Sequence, residues 1–223
     1  MPQSSIFRWR DGAGWLVLAG GGNIQSEAAV EIDSEVLVRT VSHGPLALLW
    51  SAGDIEAADE YLEHLRDLGG RTGFLLDVTA EKDEDTLKQL GETGIILLED
   101  GPQSERLHGA LTGPVLEAIE TAFQNGATIY ARGRMVMSLA AWMPGAGNNL
   151  RAGIAWLDGA LVMAPYNEEQ AVHMKSWLQD VIPDAYGIGI GEGAALALSP
   201  DAEVEIWGEK AVTVLLGKNL SPT

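Results

Sequence analysis

The residues best placed to do chemistry lie in a stretch that reads as strand, tight turn and helix, Ala127–Met143. Apolar residues run up to the turn and recur at helical spacing after it. In many hydrolases such an elbow lifts a Ser or Cys nucleophile above a sheet, where backbone N–H groups stabilise an oxyanion. Here the crown of the turn is Gly133, flanked by Arg132 and Arg134. The pattern predicts a hydrolase-like elbow without a nucleophile.

Other serines and histidines give weaker candidates for the missing groups. Ser138 follows the elbow by more than one helical turn, so we expect it to face helix packing or solvent. Ser51 precedes Asp54 in a turn that leads into a helix, which favours a capping role. No two histidines have metal-ligand spacing, and we predict no metal site. The four histidines, interpreted as isolated surface or packing residues, are His43, His64, His108 and His173.

Strands alternate with helices, which predicts a three-layer α/β/α fold around a mostly parallel sheet. Continuous apolar runs, typical of strands buried on both faces, lie at Trp15–Ala19, Leu46–Trp50, Gly73–Val78, Ile95–Leu98 and Thr128–Ala131. Helices are predicted at Asp54–Leu68, Asp83–Leu90, Gly113–Asn125 and Glu168–Val181. A further strand is expected at Leu161–Ala164.

Toward the C-terminus the pattern predicts a short antiparallel extension that caps one edge of the sheet. Its strands are expected at Gly187–Ile190, Ala195–Leu198, Glu203–Trp207 and Ala211–Leu215. Residues Gln25–Ser42 are ambiguous, and we expect an insertion with a strand at Glu35–Arg39. Without repeats or linkers, residues 1–223 are expected to form a single domain.

Composition excludes several classes of partner. The formal net charge is −18, so the overall field repels nucleic acid and anionic lipid. No apolar run approaches the roughly 20 residues of a membrane span, and we find no apolar signal-peptide core. The absence of cysteine excludes disulfide and thiolate chemistry and favours a cytoplasmic protein. The acidic excess either maintains solubility or attracts a cationic ligand.

Four blocks in fixed order carry a family resemblance. They are Trp15–Gly22, Asp100–Leu107, Thr128–Val136 and Gly187–Ala195. In order and spacing the chain resembles the peptidase S51 family, the cyanophycinase and α-aspartyl dipeptidase relatives of the class I glutamine amidotransferase-like fold. The resemblance implies a serine-peptidase scaffold with a Ser–His–acid constellation.

The catalytic positions implied by the resemblance are substituted. Gly133 stands where the family has its serine, and Pro165–Glu168 holds no histidine where one is expected. Gly191 replaces the family's aspartate, although Glu192 keeps the neighbouring acid. Gln103 survives in a turn that forms part of the pocket in the related enzymes. Glu192 and Gln103 mark either a repurposed pocket or ordinary turns.

The resemblance therefore implies a candidate pocket rather than a complete catalytic site. Its residues are Gly21, Gly22, Gln103, Arg132, Gly133, Arg134 and Glu192. Gly21 and Gly22 allow close backbone approach. The glycine turn lacks both the Gly-x-Gly-x-x-Gly and the Walker patterns, so no cofactor is predicted.

Three functional hypotheses remain. The first is a homologue that has lost serine-peptidase chemistry and binds a small molecule or peptide. Arg132 and Arg134 would then favour a carboxylate or phosphate, unless they pair with the protein's own acids. The alternative is an active serine hydrolase of small acidic or arginine-bearing peptides, with Ser51 or Ser138 as a relocated nucleophile. The third is a regulatory subunit that acts through a protein interface, such as a homodimer.

Overall fold

The computed structural model describes residues 7–50, 55–79, 83–147, 149–209 and 211–220. Within these ranges the strands are β1 Leu16–Ala19, β2 Leu46–Leu49, β3 Gly73–Leu76, β4 Ile95–Leu98, β5 Thr128–Arg132, β6 Ala140–Pro144, β7 Leu150–Ala152, β8 Leu157–Met163, β9 Tyr186–Ile190, β10 Ala194–Leu198, β11 Val204–Gly208 and β12 Val212–Leu216. The helices are α1 Glu27–Arg39, α2 Ile55–Asp67, α3 Glu84–Gly91, α4 Ser104–Ala110, α5 Gly113–Gln124, α6 Met135–Ser138 and α7 Glu168–Asp180.

The main sheet has seven strands in the order β11-β10-β1-β5-β4-β2-β3. The five strands from β1 to β3 in this order are parallel, and β10 and β11 extend the sheet antiparallel beyond β1. All residues of β1, β2, β4 and β5 are buried. This burial explains why those strands are continuous apolar runs rather than alternating ones.

Helices cover both faces of the main sheet and complete a three-layer α/β/α fold. On one face α1 and α2 contribute Ile32 and Tyr61 to a core that includes Val17. On the other face α3, α4, α5 and α6 contribute Leu90, Phe123 and their neighbours to a second core. No helix in the described part of the chain is both long enough and apolar enough to span a membrane.

At two places in the main sheet, neighbouring parallel strands are followed by helices on opposite faces of the sheet. β1 and β2 lead into α1 and α2 on one face, whereas β5 and β4 lead into α6 and α4 on the other. Since β1 lies beside β5 and β2 lies beside β4, each pair opens a crevice at its carboxyl ends. Open α/β sheets bind ligands at such topological switch points. The fold therefore presents two adjacent candidate sites.

A second sheet has five strands in the order β12-β9-β8-β6-β7. Its three central strands are parallel, and β12 and β7 pair antiparallel at the edges. Helix α7 packs on this sheet through Met174, Trp177 and Leu178. Asn167 and Gln170 form a capping box that fixes the start of this helix.

The prediction of a strand at Glu35–Arg39 is wrong, because these residues form the end of helix α1. Ser26 caps the start of this helix through a side-chain hydrogen bond to the backbone. β-branched residues favoured a strand, yet Ile32 and Val36 lie four residues apart and are both buried on one helix face. Tertiary packing of that face outweighs local β propensity.

The helix after the elbow is shorter than the apolar spacing predicts. It ends at Ser138, and Ala140 already begins β6. Pairing with β8 then continues the chain as a strand, with Trp142 opposite Leu161. The C-terminal strands lie where the sequence predicts, but only β10 and β11 cap the main sheet. β9 and β12 belong to the second sheet, so that part of the prediction is wrong.

Candidate functional site

The elbow forms as the sequence predicts, with glycine at its crown. β5 ends at Arg132, and Gly133 has a φ of 54°, a conformation that favours glycine. The Gly133 N–H donates to the carbonyl of Ala19 at 2.9 Å, which ties the turn to the end of β1. A Cβ atom on Gly133 would lie 2.9 Å from both Cβ and Oδ2 of Asp100. The crown therefore has no room for a serine side chain unless Asp100 moves.

Asp100 holds its carboxylate against the first residue after the crown. Its Oδ2 accepts a hydrogen bond from the Arg134 backbone N–H at 3.2 Å, and its Oδ1 lies 3.0 Å from Nε of the Arg134 guanidinium. Another Arg134 nitrogen donates to the carbonyl of Gly101 at 3.0 Å. The hydrogen bond to Asp100 raises the pKa of Arg134 above its ordinary value. In elbow hydrolases the corresponding backbone N–H serves the oxyanion.

Arg132 points away from the mouth of the elbow into the protein. It is 2% exposed, and its guanidinium carbon lies 4.6 Å from the ring centroid of Tyr61. Its NH2 nitrogen donates to the carbonyl of Gly22 at 3.3 Å, and NH1 lies 3.6 Å from Oε2 of Glu99. Both elbow arginines thus pair with carboxylates of the protein itself. This pairing was the alternative to binding of an external carboxylate or phosphate.

Glu99 is an acidic group whose pKa is strongly shifted at this edge of the sheet. Burial raises the pKa of its carboxyl group from 4.5 to about 7, although the charge of Arg132 opposes the shift. The side chain is 29% exposed. Its Oε2 atom and NH1 of Arg132 form no hydrogen bond with any described residue, so this pair is an ion contact only. A carboxyl group in this state changes charge near neutral pH.

A buried polar cluster lies behind Arg132, and sequence reasoning missed it. Asp33 is fully buried, and its Oδ1 accepts hydrogen bonds from the hydroxyls of Tyr61 at 2.9 Å and Tyr130 at 2.7 Å. Its Oδ2 lies 3.3 Å from Nε2 of His64. His64 is therefore not isolated, contrary to the prediction. The available signal was Asp33 on the apolar stripe of a helix, within the region Gln25–Ser42 that the sequence left ambiguous.

Five of the seven predicted pocket residues line one cavity, which we call the elbow pocket. It has a volume of about 290 Å³. Its lining is Gly20, Gly21, Gly22, Glu99, Asp100, Gly101, Gly133, Arg134, Pro165 and Glu192. Three carboxyl groups face one guanidinium there, and that guanidinium is paired with Asp100. The lining therefore favours cations over anions.

The two other predicted residues do not line the elbow pocket. Arg132 is buried behind it, and Gln103 precedes helix α4. The Gln103 side chain accepts a hydrogen bond from Arg106 at 2.7 Å. Period-two alternation along β5 explains the position of Arg132, because Tyr130 and Arg132 project to the same face of the sheet.

The glycine turn after β1 lies close against the segment between β9 and β10. The Gly20 N–H donates to the carbonyl of Ala194 at 2.9 Å, and the Gly193 N–H donates to Gly21 at 3.2 Å. A Cβ atom on Gly20 would overlap the carbonyl oxygen of Gly191. These contacts bring Glu192 to the rim of the elbow pocket.

A second cavity, which we call the crevice pocket, lies at the neighbouring switch point. Its volume is about 210 Å³. Its lining is Ile24, Leu48, Leu49, Trp50, Ala57, Ala58, Glu60, Tyr61, Glu99, Asp100, Gly101 and Pro102. Glu99, Asp100 and Gly101 line both pockets and form the wall between them.

Among the described residues, the remaining predicted candidates do not form a catalytic constellation with the elbow. Ser138 is 1% exposed within α6, and Ser51 lies outside the described residues. His173 is exposed beside Trp177, and His43 lies 2.6 Å from Arg71. Burial, followed by the charge of Arg151, lowers the pKa of His108. Among the described residues, no three acidic, histidine or cysteine side chains cluster as metal ligands would.

Two solved structures that are described as peptidases have the same fold. A peptidase from an acI-B1 actinobacterium matches with a TM-score of 0.71 and 20% identity over 93% of each chain. A candidate peptidase E from Listeria monocytogenes EGD-e matches with a TM-score of 0.56 and 14% identity, over 88% of this chain and 99% of that one. No protein-family model or curated protein sequence matches. At these identities the likeness shows the fold alone, which is the three-layer α/β/α fold described above.

Proposed function

We propose that this chain is a peptidase S51-like protein that has lost serine-peptidase chemistry and now binds a small ligand at the elbow. One observation carries the proposal. The carboxylate of Asp100 lies against Gly133 and accepts a hydrogen bond from the Arg134 backbone N–H. The position where a serine hydrolase places its nucleophile and an oxyanion donor is filled by an internal anion.

The electrostatics of this arrangement oppose acyl transfer at the elbow. A tetrahedral intermediate carries negative charge that the elbow N–H groups must stabilise. Here the Arg134 N–H already serves Asp100, and a developing oxyanion would face that carboxylate at short range. Glycine at the crown supplies no attacking atom. The missing nucleophile and the N–H donor already occupied by Asp100 both support the loss of serine-peptidase chemistry.

Ligand binding is the function that the remaining geometry supports. Two pockets share a wall at the carboxyl ends of parallel strands, where α/β sheets bind ligands. The peptidases of similar fold support descent of the scaffold from hydrolases. A relocated nucleophile is the competing proposal, and the burial of Ser138 argues against that residue.

Active-site labelling tests the loss of serine chemistry. The folded protein is treated with a fluorophosphonate probe beside an active S51 serine peptidase, and adducts are located by peptide mass mapping. We expect labelling of the active peptidase alone. A stoichiometric adduct on this chain would overturn the proposal. Ser51→Ala and Ser138→Ala variants would then identify the residue that carries it.

A further inference from the structure

The crevice pocket combines an apolar body with an acidic wall. β2 contributes Leu48 and Leu49, and α2 contributes Ala58 and the ring of Tyr61. Its acidic residues are Glu60, Glu99 and Asp100, and none of the described lining residues is basic. Sites for small organic ligands have this character, mostly apolar with a few converging polar groups.

The three carboxyl groups are not equally available to a ligand. Asp100 is engaged by the backbone and guanidinium of Arg134. Glu60 is exposed on α2. Glu99 has 29% of its side chain accessible, although its Oε2 atom is buried against NH1 of Arg132 at 3.6 Å without a hydrogen bond. A cation in the pocket would therefore contact the accessible part of the Glu99 carboxyl group, with Glu60 adding negative charge.

We infer that the crevice pocket binds a small organic cation with an apolar body, an arylalkylamine or alkylamine whose ammonium group contacts Glu99. The inference goes beyond the proposed function, because it concerns the neighbouring crevice pocket and does not depend on the loss of serine chemistry at the elbow. The ammonium group would gain a charge-assisted hydrogen bond. The apolar body would lie among Leu48, Leu49 and the aromatic lining residues, where burial of apolar surface favours binding.

The volume of the pocket limits the size of the ligand. An engineered apolar protein cavity of about 150 Å³ binds benzene, and the crevice pocket measures about 210 Å³. Drug-sized ligands occupy about 300–1,000 Å³. One aromatic ring with a short amine tail is therefore the appropriate size, and 2-phenylethylamine is a suitable probe.

Three probes of similar shape separate charge from apolar burial. We would measure binding of 2-phenylethylamine, 2-phenylethanol and phenylacetate by isothermal titration calorimetry at pH 8, where most Glu99 carboxyl groups carry charge. We expect the cation to bind at least about tenfold more tightly than the neutral alcohol, since a charge-assisted hydrogen bond is lost in the alcohol. The anion is expected to bind most weakly. Equal binding of all three probes would overturn the inference.

Variants place the binding in the crevice pocket. Glu99→Gln should weaken amine binding at least about tenfold, whereas Glu192→Gln, which alters only the elbow pocket, should leave it unchanged. Because Glu99→Gln also removes the partner of buried Arg132, a second variant is needed. Ala57→Phe at an exposed lining position fills the pocket without touching the core and should abolish binding.

The outcomes separate this inference from the proposed function. Amine binding that Ala57→Phe abolishes and Glu192→Gln preserves supports it. Absence of amine binding, or binding insensitive to Ala57→Phe, overturns it even if the fluorophosphonate probe fails to react. A fluorophosphonate adduct would instead overturn the loss of serine chemistry, whatever the amine does.

Discussion

The Asp100 carboxylate accepts a hydrogen bond from the backbone N–H of Arg134 at 3.2 Å, across 34 residues of sequence. This contact joins the end of β4 to the first residue beyond the elbow crown. The same carboxylate also lies where a side chain on Gly133 would begin. The turn therefore keeps the backbone shape of a nucleophile elbow while an internal acid occupies the space that the chemistry would need.

This relationship predicts a large cost for any side chain at the crown. In Gly133→Ala, a φ of 54° costs roughly 1 kcal/mol for a non-glycine residue, and the overlap with Asp100 adds about 1–3 kcal/mol. Chemical denaturation should show a total loss of about 2–4 kcal/mol in the free energy of unfolding.

One other glycine and one double variant serve as controls for this measurement. Gly113 has a φ of 53° but open space around its Cβ position, so Gly113→Ala should show the backbone cost alone. Removing the clashing side chain in the double variant Asp100→Ala/Gly133→Ala should recover the overlap cost as a coupling energy. Equal losses for Gly133→Ala and Gly113→Ala would contradict the steric argument.

The close crossing of the glycine turn predicts a second sensitive position. A Cβ atom on Gly20 overlaps the carbonyl oxygen of Gly191, and neither backbone can rotate away as a side chain would. We expect Gly20→Ala to lower the free energy of unfolding by about 3 kcal/mol or more. Gly109→Ala, within helix α4 and in open space, should be neutral or stabilising by up to about 1 kcal/mol. Thermal unfolding of the two variants side by side decides the point.

The fully buried Asp33 makes its two tyrosine hydroxyls important for stability. Tyr130→Phe leaves the carboxylate with one hydroxyl donor fewer, and a buried hydrogen bond to a charged group contributes about 1.5–3 kcal/mol. We expect urea denaturation to show a loss of that size. Tyr166→Phe, at a partly exposed tyrosine between β8 and α7, should change the stability by less than about 0.5 kcal/mol. Similar losses in both variants would refute a special role for Asp33.

Tyr61 allows the hydroxyl and the ring to be tested separately. Tyr61→Phe removes the hydrogen bond to Asp33 but keeps a ring beside the Arg132 guanidinium. Tyr61→Leu removes both, and should cost a further ~1–2 kcal/mol because the buried cation loses its aromatic partner. If the two variants unfold at the same denaturant concentration, the ring contact contributes nothing.

The sequence predicts the parallel core of the fold well, because strands buried on both faces are continuous apolar runs. It predicts β4 at Ile95–Leu98 to the residue. It places the C-terminal strands but not their sheets, since strand pairing depends on contacts distant in sequence. The sequence identifies Gly133 as the crown because the elbow is a local pattern. It does not predict the Asp100–Arg134 contact, because that contact forms between two loops that are distant in sequence.

Arg132 shows how a prediction from neighbouring positions in the sequence can misplace a residue of the predicted pocket. Its neighbours Gly133 and Arg134 line the elbow pocket, so adjacency in sequence suggested a shared site. Strand alternation instead directs its side chain to the face that holds Tyr61 and Asp33. The buried cluster was hidden for a related reason, because an aspartate in an unrecognised helix looks like a surface residue.

Glu99 predicts a specific pH dependence of folding. Its pKa is raised by burial from 4.5 to about 7 in the folded protein, so the folded state holds a proton that the unfolded state releases between these values. Stability should therefore fall as the pH rises from about 5 to about 8, by up to about 3 kcal/mol from this group. Glu99→Gln lacks the titration. As the pH rises over this range, the free energy of unfolding of the wild type should fall relative to that of the variant.

High salt separates the effect of Glu99 on the pH dependence of stability from the repulsion among the many other acidic groups of the protein. At about 1 M salt the Debye length is about 3 Å, so surface charges are largely screened. The net charge of −18 then contributes little to the pH profile, whereas the burial of Glu99 is unaffected. Urea titrations at pH 5, 6, 7 and 8 in high salt should retain the difference between wild type and Glu99→Gln. A difference that is constant with pH would show that the Glu99 carboxyl group titrates in the folded protein as it does in the unfolded chain, and would contradict the effect of burial on its pKa.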